Sequence, residues 1–360
     1  QLTMEVRSLS LENFRNYAEE HIEFAPRTNL IYGDNAQGKT NILEAVYMAA
    51  NGRSHRAKSD SQLIKFGEPY ARISLDFCDM HRTYRVAISL LPGGKKSVKI
   101  NNVPINKLSV LVNYLNVVMF SPEDLELVKG SPAQRRRFMD TAISSLSPRY
   151  LGELVTYHKA LAQKNSLLRA VKYSGTPAQT LDVWNMQLAG CGAKIVRERR
   201  SFLAGLSAAA APVHDEIAGV GLAAWYSPSI DAEDADEFYA RLCDAQRREI
   251  ENGSSLFGVQ RDDISFSVGE NDARTYASQG QQRTAVLCMK LGLCEYIKEK
   301  RGEYPVLLFD DIMSELDEKH RLYLADKIRD KQVLLTCTDK EGSAARYIRV
   351  EGGHAVREDG

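Results

Sequence analysis

Eight consecutive residues form a glycine-rich segment that ends in a lysine and a threonine. They are Gly33, Asp34, Asn35, Ala36, Gln37, Gly38, Lys39 and Thr40, which fit the pattern of a glycine, four free positions and Gly-Lys-Thr. The glycines let the backbone curl so that its N–H groups face phosphate oxygens, and a following helix adds its positive end. Lys39 would reach the β and γ phosphates, and Thr40 would offer its hydroxyl to Mg²⁺. The segment therefore predicts a P-loop that binds a nucleoside triphosphate with Mg²⁺.

Two adjacent acids, Asp310 and Asp311, follow the apolar run 306–309. Such a run is typical of a central strand in a parallel sheet. In a chain with a P-loop, Asp310 would hold Mg²⁺ through its water shell, and Asp311 would orient or deprotonate the attacking water. Together with Lys39 these acids form the candidate catalytic set. The alternative is a strand that ends in a solvated pair of acids.

A serine and a glycine, Ser278 and Gly280, open a predicted helix that lies one helix ahead of the acid pair. ABC-type ATPases have their signature Ser-Gly-Gly-Gln at this place in the chain. A serine hydroxyl, a glycine backbone and a helix N-terminus make a second phosphate-binding surface. In that class of protein this surface contacts the nucleotide held by another copy, so two nucleotides lie inside a head-to-tail dimer. The alternative is an ordinary capped helix.

The elements predicted around these residues indicate an α/β fold. A short strand precedes the P-loop and an amphipathic helix follows it. Three strand-like runs, 70–77, 83–90 and 97–100, are separated by turn signals and predict an antiparallel β-subdomain. A P-loop followed by antiparallel hairpins is unusual among P-loop folds. It favours an ABC-type ATPase head, in which a mixed sheet carries the P-loop beside an antiparallel β-subdomain.

The long separation of Lys39 from Asp310 predicts an inserted α-helical lobe. Apolar residues between about 150 and 206 recur at steps of three and four, which indicates a short antiparallel helix pair joined near 173–177. The predicted domains are a discontinuous head, 4–120 and 260–350, and a helical lobe, 121–259. Residues 1–3 precede Met4 and are interpreted as a cloning remnant.

Composition and charge limit the cellular location and the partners that we expect for the protein. The chain has 360 residues and a formal net charge of zero, which leaves room for a locally basic, nucleic-acid-binding surface. Its six cysteines are scattered without CxxC spacing, as expected of reduced thiols. No apolar run is long enough for a bilayer, and no signal peptide opens the chain. We expect a cytoplasmic location without a membrane partner.

Three stretches together resemble the RecF family, whose members are bacterial ABC/SMC-like ATPases of DNA replication and repair. They are the P-loop that ends in Gly-Lys-Thr-Asn, the segment 122–140 with its Pro-Glu-Asp, Gly-Ser-Pro and Arg-Arg-Arg, and the segment 308–317. The second stretch is the most diagnostic of the three. The resemblance extends from Val6 to about Val350 and covers nearly the whole chain.

The resemblance implies an ATP-dependent homodimer that binds ATP and Mg²⁺ and uses weak, slow ATP hydrolysis as a conformational switch. Ser278 and Gly280 would complete the partner's nucleotide site, and Asp317 would communicate across the dimer. Asp311 stands where many ABC ATPases have the longer Glu, which suits slow hydrolysis. Arg15 and Asn16 would touch the nucleotide.

The resemblance also implies a place in recombinational repair, replication restart and the SOS response. The ATP-bound dimer would recognise single-stranded, gapped or junction DNA at the nucleoid, and would help load RecA together with RecR and RecO. Candidate DNA contacts are Arg53, Arg56, Lys58, Arg135 and Arg136. Each of them could instead be part of a solvated face.

Two other functions were weighed against this interpretation. The motor subunit of a membrane transporter has the same head architecture, but it would need a switch histidine where this chain has Cys337-Thr338. A P-loop kinase of small molecules would have neither the signature helix nor the long insertion.

Overall fold

The computed structural model describes residues 4–175, 177–340 and 343–358. Residues 1–3, interpreted above as a cloning remnant, and Thr176 in the predicted connector lie outside these ranges. The chain forms two compact units. One, the head unit, runs up to Asp124 and resumes at Leu293, and the other, the lobe unit, spans Leu125–Gly292.

The strands lie in both units. In chain order they are β1 (Glu5–Phe14), β2 (Tyr17–Glu23), β3 (Thr28–Tyr32), β4 (Ala71–Cys78), β5 (Thr83–Leu90), β6 (Lys96–Ile100), β7 (Val103–Ile105), β8 (Val117–Phe120), β9 (Leu222–Ser227), β10 (Asp263–Val268), β11 (Asn271–Asp272), β12 (Val306–Asp310), β13 (Val333–Cys337), β14 (Arg346–Glu351) and β15 (His354–Glu358).

The helices differ widely in length. In chain order they are α1 (Lys39–Asn51), α2 (Leu108–Leu111), α3 (Glu126–Lys129), α4 (Pro132–Leu146), α5 (Pro148–Ser174), α6 (Asp182–Ala218), α7 (Ala235–Asn252), α8 (Gln279–Arg301) and α9 (Glu318–Ile328). Glycines in left-handed conformations end α1, α5, α6 and α7, because a residue without Cβ takes a positive φ at little cost.

An antiparallel sheet of six strands, ordered β2-β1-β4-β5-β6-β7, forms one layer of the head unit. Its strands alternate between buried apolar and exposed polar residues, as expected when one face is in water. Ala71, Ile73 and Leu75 of β4 are fully buried, whereas Arg72 between the first two is exposed. This sheet is the antiparallel β-subdomain predicted from the turn signals.

A mixed sheet of six strands, ordered β15-β14-β3-β13-β12-β8, forms the second layer of the head unit. All neighbours in it pair in parallel except β14 and β15. Strand β12, which has a parallel neighbour on each side, is buried along its length, which explains its continuous apolar run. The carboxyl ends of parallel strands meet at one edge, so the segments after β3, β8, β12 and β13 come together there.

The lobe unit packs the long helices α5 and α6 with α4, α7 and a small sheet ordered β11-β10-β9. The apolar stripes predicted for the helix pair are buried, with Leu168, Leu188, Ile195 and Leu206 fully enclosed. The predicted lobe, 121–259, ends before this unit does, because β10 pairs with β9 and Gly292 of α8 packs against α6. A Cβ added at Gly292 of α8 would lie 2.7 Å from Ala210 of α6.

Candidate nucleotide site

The P-loop connects β3 to α1 through a backbone that needs its two glycines. Gly33 has φ 145° and Gly38 has φ 118°, values that residues with a Cβ rarely adopt. A Cβ at Gly33 would lie 2.2 Å from the carbonyl oxygen of Val350, and one at Gly38 would meet the side chain of Asn16 at 2.6 Å. The loop is therefore fixed in the curled form that points backbone N–H groups inward.

Lys39 is held inside the loop by the loop itself. Its ammonium group donates hydrogen bonds to the carbonyl oxygens of Gly33 and Asp34, the second at 3.1 Å, and the residue is 8% exposed. These carbonyl contacts hold the ammonium group against the first two residues of the loop. A phosphate that entered the loop would offer the charged acceptor that a lysine prefers to a carbonyl.

Thr40 and Asp310 lie together although they are 270 residues apart in the chain. The Thr40 hydroxyl donates to Asp310 Oδ1 at 2.8 Å, and the Thr336 hydroxyl donates to the same oxygen at 2.9 Å. Burial raises the pKa of Asp310, and the two hydroxyl hydrogen bonds partly offset that effect. A hydroxyl and a carboxylate beside a phosphate loop suit Mg²⁺, which takes oxygen ligands and usually keeps phosphates and waters around it.

Asp311, at the same edge of the sheet, has an uncommon backbone conformation. It has φ 52°, a left-handed conformation that is uncommon for a residue with a Cβ. Its N–H donates to Thr336 Oγ1 at 3.0 Å, which holds the turn at the end of β12. Strained conformations of this kind cluster at active sites and ligand-binding sites.

Glu44 on α1 is a site residue that the sequence reasoning missed. It is fully buried and binds Arg15 through two hydrogen bonds, at 2.8 and 2.9 Å, and Arg56 through one at 2.8 Å. Burial opposes ionisation of Glu44, but hydrogen bonds from Arg15, Arg56 and Ser54 outweigh it and lower the pKa to about 2. The side chains of Arg15 and Arg56 keep 24% and 34% of their surface exposed.

Arg56 therefore lies beside the P-loop helix, where its side chain remains 34% exposed. It also donates to Asn41 Oδ1 at 2.8 Å, one residue beyond Thr40, and its charge favours ionisation of Asp310. The only sequence signal for this arrangement is a carboxylate on the inner face of α1, where an apolar residue would be expected.

Asn16 supports the P-loop with its side chain. Its amide donates to the carbonyl oxygen of Gln37 at 2.7 Å and accepts from Asn41 at 2.8 Å. The turn between β14 and β15 supports the loop from another direction, because the N–H of Gly352 donates to Gln37 Oε1 at 2.6 Å. The nucleotide contact of Asn16 stays a prediction, and the structure places its side chain against the P-loop.

Two further acids belong to this part of the head unit. Glu123 follows β8, and its charge raises the pKa of Asp310, which places it at the same sheet edge. Sequence analysis did not single it out, although an acid just after a buried strand was the available signal. Asp317 caps α9 by accepting the N–H of His320 at 2.9 Å, and its side chain is 67% exposed.

Ser278 and Gly280 belong to the lobe unit, where they form the exposed tip of α8. The N–H of Gln281 donates to Ser278 Oγ at 3.3 Å, and the N–H of Ser278 donates to Gln281 Oε1 at 2.8 Å. This capping box defines the start of the helix. A Cβ at Gly280 would meet no atom within 4 Å, so its backbone is open to a ligand or a second chain.

The candidate DNA contacts divide into exposed and buried residues. Arg53 and Lys58 are exposed in the loop after α1. The DNA contact predicted for Arg135 is wrong, because this residue is 2% exposed and its guanidinium binds both oxygens of Asp263, at 2.6 and 2.8 Å. Arg136 is half-buried and donates to the carbonyl oxygen of Asp262 at 2.7 Å. Neither arginine of this pair presents an open cation to a DNA backbone.

Among the described residues, no helix combines the length and the apolar character needed to span a bilayer. In the same part of the chain, no group of three or more His, Cys, Asp and Glu side chains is placed to hold a metal. A magnesium ion at Thr40 and Asp310 would therefore depend on phosphate oxygens and water for its remaining ligands.

A P-loop on one parallel strand, an acid pair on a nearby strand and an inserted helical lobe define an ATPase head of the ABC/SMC class. A family model described as the RecF/RecN/SMC N terminal domain matches residues 5–349. The chain belongs to the RecF family within that class, which confirms the family and the fold predicted from its motifs. It is 38% identical over 366 residues to the DNA replication and repair protein RecF of Lachnospira eligens, covering 99% of this chain and 100% of the relative.

Two solved structures are similar over almost the whole chain. The first is that of the recombination mediator protein RecF-ATPrS in the RecFOR pathway, with a TM-score of 0.94, 32% identity and coverage of 99% of both chains. The second is that of RecF-ATP in the same pathway, with a TM-score of 0.94, 31% identity and coverage of 99% of this chain and 98% of that one.

Proposed function

We propose that this chain is an ATP-dependent DNA-binding protein of replication and repair, in which ATP joins two copies and slow hydrolysis separates them. The observation that carries the proposal is the contact of Thr40 with Asp310, which unites the two halves of a magnesium–nucleotide site. The curled P-loop around Lys39 and the names of the relatives support it.

The residues of the head unit have distinct parts in this chemistry. ATP would enter the P-loop, and Lys39 would exchange its carbonyl contacts for phosphate oxygens. Mg²⁺, held by Thr40 and Asp310, would neutralise charge that develops on the phosphates. Asp311 would orient or deprotonate the attacking water, and its short side chain suits slow turnover. Arg15, fixed by Glu44, would face the phosphates with its remaining N–H groups.

Arg56 is reassigned by this proposal from DNA to the nucleotide. It lies between Glu44 and Asn41, and its charge acts on Asp310. A guanidinium there can add stabilisation to the phosphoryl group as negative charge shifts during hydrolysis.

The exposed tip of α8 would supply the second half of the switch. Ser278 and Gly280 would contact the phosphates held in the P-loop of another copy, so that ATP is bound by two surfaces at once. Hydrolysis would remove the shared ligand and let the dimer open. Hydrolysis would then determine how long the dimer lasts.

DNA and protein partners follow from the same proposal. A similar structure described as a recombination mediator in the RecFOR pathway supports work with RecR and RecO, which would take place at the nucleoid. The dimer would recognise gapped or junction DNA and help load RecA on single strands. Exposed Arg53 and Lys58 would contribute phosphate contacts.

A transporter motor is not favoured. Cys337 stands at the end of β13, where that class of protein carries a switch histidine, and burial raises the pKa of its thiol to about 11. A protonated thiol there cannot replace an imidazole as a proton acceptor at neutral pH.

Sedimentation velocity with ATP and Mg²⁺, with and without a gapped duplex, tests the proposal. We expect the wild type to dimerise with ATP and to bind the duplex as a dimer. Lys39→Met should stay monomeric because it lacks the phosphate contact, and Ser278→Arg should stay monomeric because it blocks the second surface.

Ser174→Arg is the matched control, since it adds the same side chain to an exposed serine at the end of α5. It should dimerise as the wild type does. Dimers of Lys39→Met or Ser278→Arg at wild-type strength would contradict the shared-nucleotide model. Equal duplex binding with and without ATP would contradict the coupling to DNA.

A further inference from the structure

Phe66 is an aromatic side chain in water at the corner of a β-turn. It is 103% exposed, more than any other large apolar side chain of the described residues. The N–H of Glu68 donates to the carbonyl oxygen of Lys65 at 3.0 Å, and Gly67 has φ 87°. A glycine with positive φ at the third position defines a type II turn, whose corner residue points outward. We call residues 65–68 the Phe66 turn.

The residues that lead into the Phe66 turn are hydrogen-bonded to the hairpin between β1 and β2 of the head unit. The N–H of Lys65 donates to the carbonyl oxygen of Asn13 at 2.8 Å, and its ammonium group donates to that of Asn16 at 3.0 Å. The N–H of Arg15 donates to the carbonyl oxygen of Leu63 at 2.8 Å. The ring is therefore presented by an anchored backbone, which lowers the entropy lost when a ligand binds it.

Cations dominate the chain around the ring. Residues 53–68 include four Lys or Arg and two Asp or Glu. One of these acids, Asp60, is already bound to the ammonium group of Lys96 at 2.9 Å. The same Lys96 contact fastens the β5–β6 hairpin to this segment, and Lys95 of that hairpin is exposed, as is Lys58. The ring thus lies on a surface that suits a polyanion.

We infer that Phe66 stacks on an unpaired base of DNA while Lys58 and Lys95 contact the flanking phosphates. This inference rests on the proposed function and specifies its DNA site. Aromatic rings with nearby cations are the usual means of holding single strands, because every base has a face for stacking. Bases inside a duplex have no free face, so the ring would favour a single-stranded segment or the edge of a gap.

Fluorescence anisotropy of a labelled single strand and of a duplex of equal length, both with ATP and Mg²⁺, tests the inference. We expect Phe66→Ala to bind the single strand about tenfold more weakly, to bind the duplex as before and to keep the wild-type salt dependence. Phe66→Trp should keep its affinity, and its added fluorescence should be quenched by the single strand but not by the duplex.

Two controls separate stacking from charge and from general exposure. Lys58→Gln should weaken both DNAs by a few fold and lower the salt slope by about one, because it removes a phosphate contact. Tyr173→Ala removes another exposed aromatic, 73% exposed at the end of α5, and should change neither affinity.

Wild-type single-strand affinity in Phe66→Ala would overturn the inference and leave the proposed function intact. A loss of ATP affinity or of ATP-dependent dimerisation in this variant would also overturn it, by placing the ring on the nucleotide or on a protein partner. If the wild type bound neither DNA, the proposed function would fail, and the stacking site with it.

Discussion

Each unit contains a cluster in which arginine binds buried carboxylates. The two clusters differ in how many guanidinium N–H groups remain available to a ligand. In the lobe unit Arg199 is 1% exposed, and its N–H groups bind Asp140, Tyr150, Asp262 and the carbonyl oxygen of Val259 at 2.6 to 2.9 Å. All three nitrogens of its guanidinium therefore donate to groups of the protein. We call this the Arg199 cluster.

In the head unit the Glu44 cluster, which is Glu44 with Arg15, Arg56 and Ser54, has the opposite arrangement. Its carboxylate is fully buried, but both guanidiniums are partly exposed and retain N–H groups beyond those used on Glu44. The comparison teaches that a buried carboxylate can either complete a scaffold or present cations to a ligand. The exposure of the arginine distinguishes the two, and three variants test this.

Arg199→Ala should have the largest effect on folding. It leaves Asp140 and Asp262 without their cation inside the lobe unit, which typically costs about 3–5 kcal/mol of the free energy of unfolding. Urea denaturation measures this loss. Arg197→Ala is the matched control, because Arg197 is 64% exposed and its pair with Glu233 should contribute under about 1 kcal/mol. A loss below about 1 kcal/mol in Arg199→Ala would show that the Arg199 cluster does not stabilise the fold.

Glu44→Gln should have a smaller and pH-dependent effect. Because the pKa of Glu44 falls from 4.5 to about 2 on folding, its charge stabilises the folded state above pH 4.5. That stabilisation, about 3 kcal/mol, is lost as the pH falls from 4.5 toward 2. Urea denaturation between pH 7 and pH 3 should show the wild-type advantage over Glu44→Gln constant at first and shrinking below pH 4.5. A constant difference down to pH 3 would argue against the lowered pKa.

Arg56→Lys should change stability least, by under about 1 kcal/mol, because the side chain is partly exposed and the positive charge is kept. Its ATP hydrolysis should fall about tenfold, because an ammonium group cannot hold Glu44 and Asn41 and also present a fork of donors to phosphate. Phosphate release at saturating ATP measures the change. Arg72→Lys alters an exposed pair with Glu12 and should retain wild-type turnover. If Arg56→Lys hydrolysed ATP as fast as Arg72→Lys, Arg56 would have no part in the nucleotide site.

The head fold and the core of the site could be predicted because their signals are local. The P-loop glycines, the apolar run before Asp310 and the capped start of α8 each lie within a few residues. The role of Glu44 could not be predicted, because it depends on Arg15 and Arg56, which reach Glu44 from separate segments of the chain. Arg135 looked like an open cation because sequence shows its charge but not its partner Asp263. The end of the lobe was misplaced because β10 resembles a strand of the head until its pairing with β9 is known.

The position of β3 between β13 and β14 has a consequence for biosynthesis. A ribosome releases the P-loop early, whereas the strands that flank β3, the acids of β12 and the Gly352 turn that supports Gln37 emerge some 270 to 320 residues later. Until then the glycine loop has the support of Asn16 but not that of Gly352 or Asp310, so a partly made chain lacks part of the finished site. The complete nucleotide site therefore forms only when synthesis of the head unit has finished.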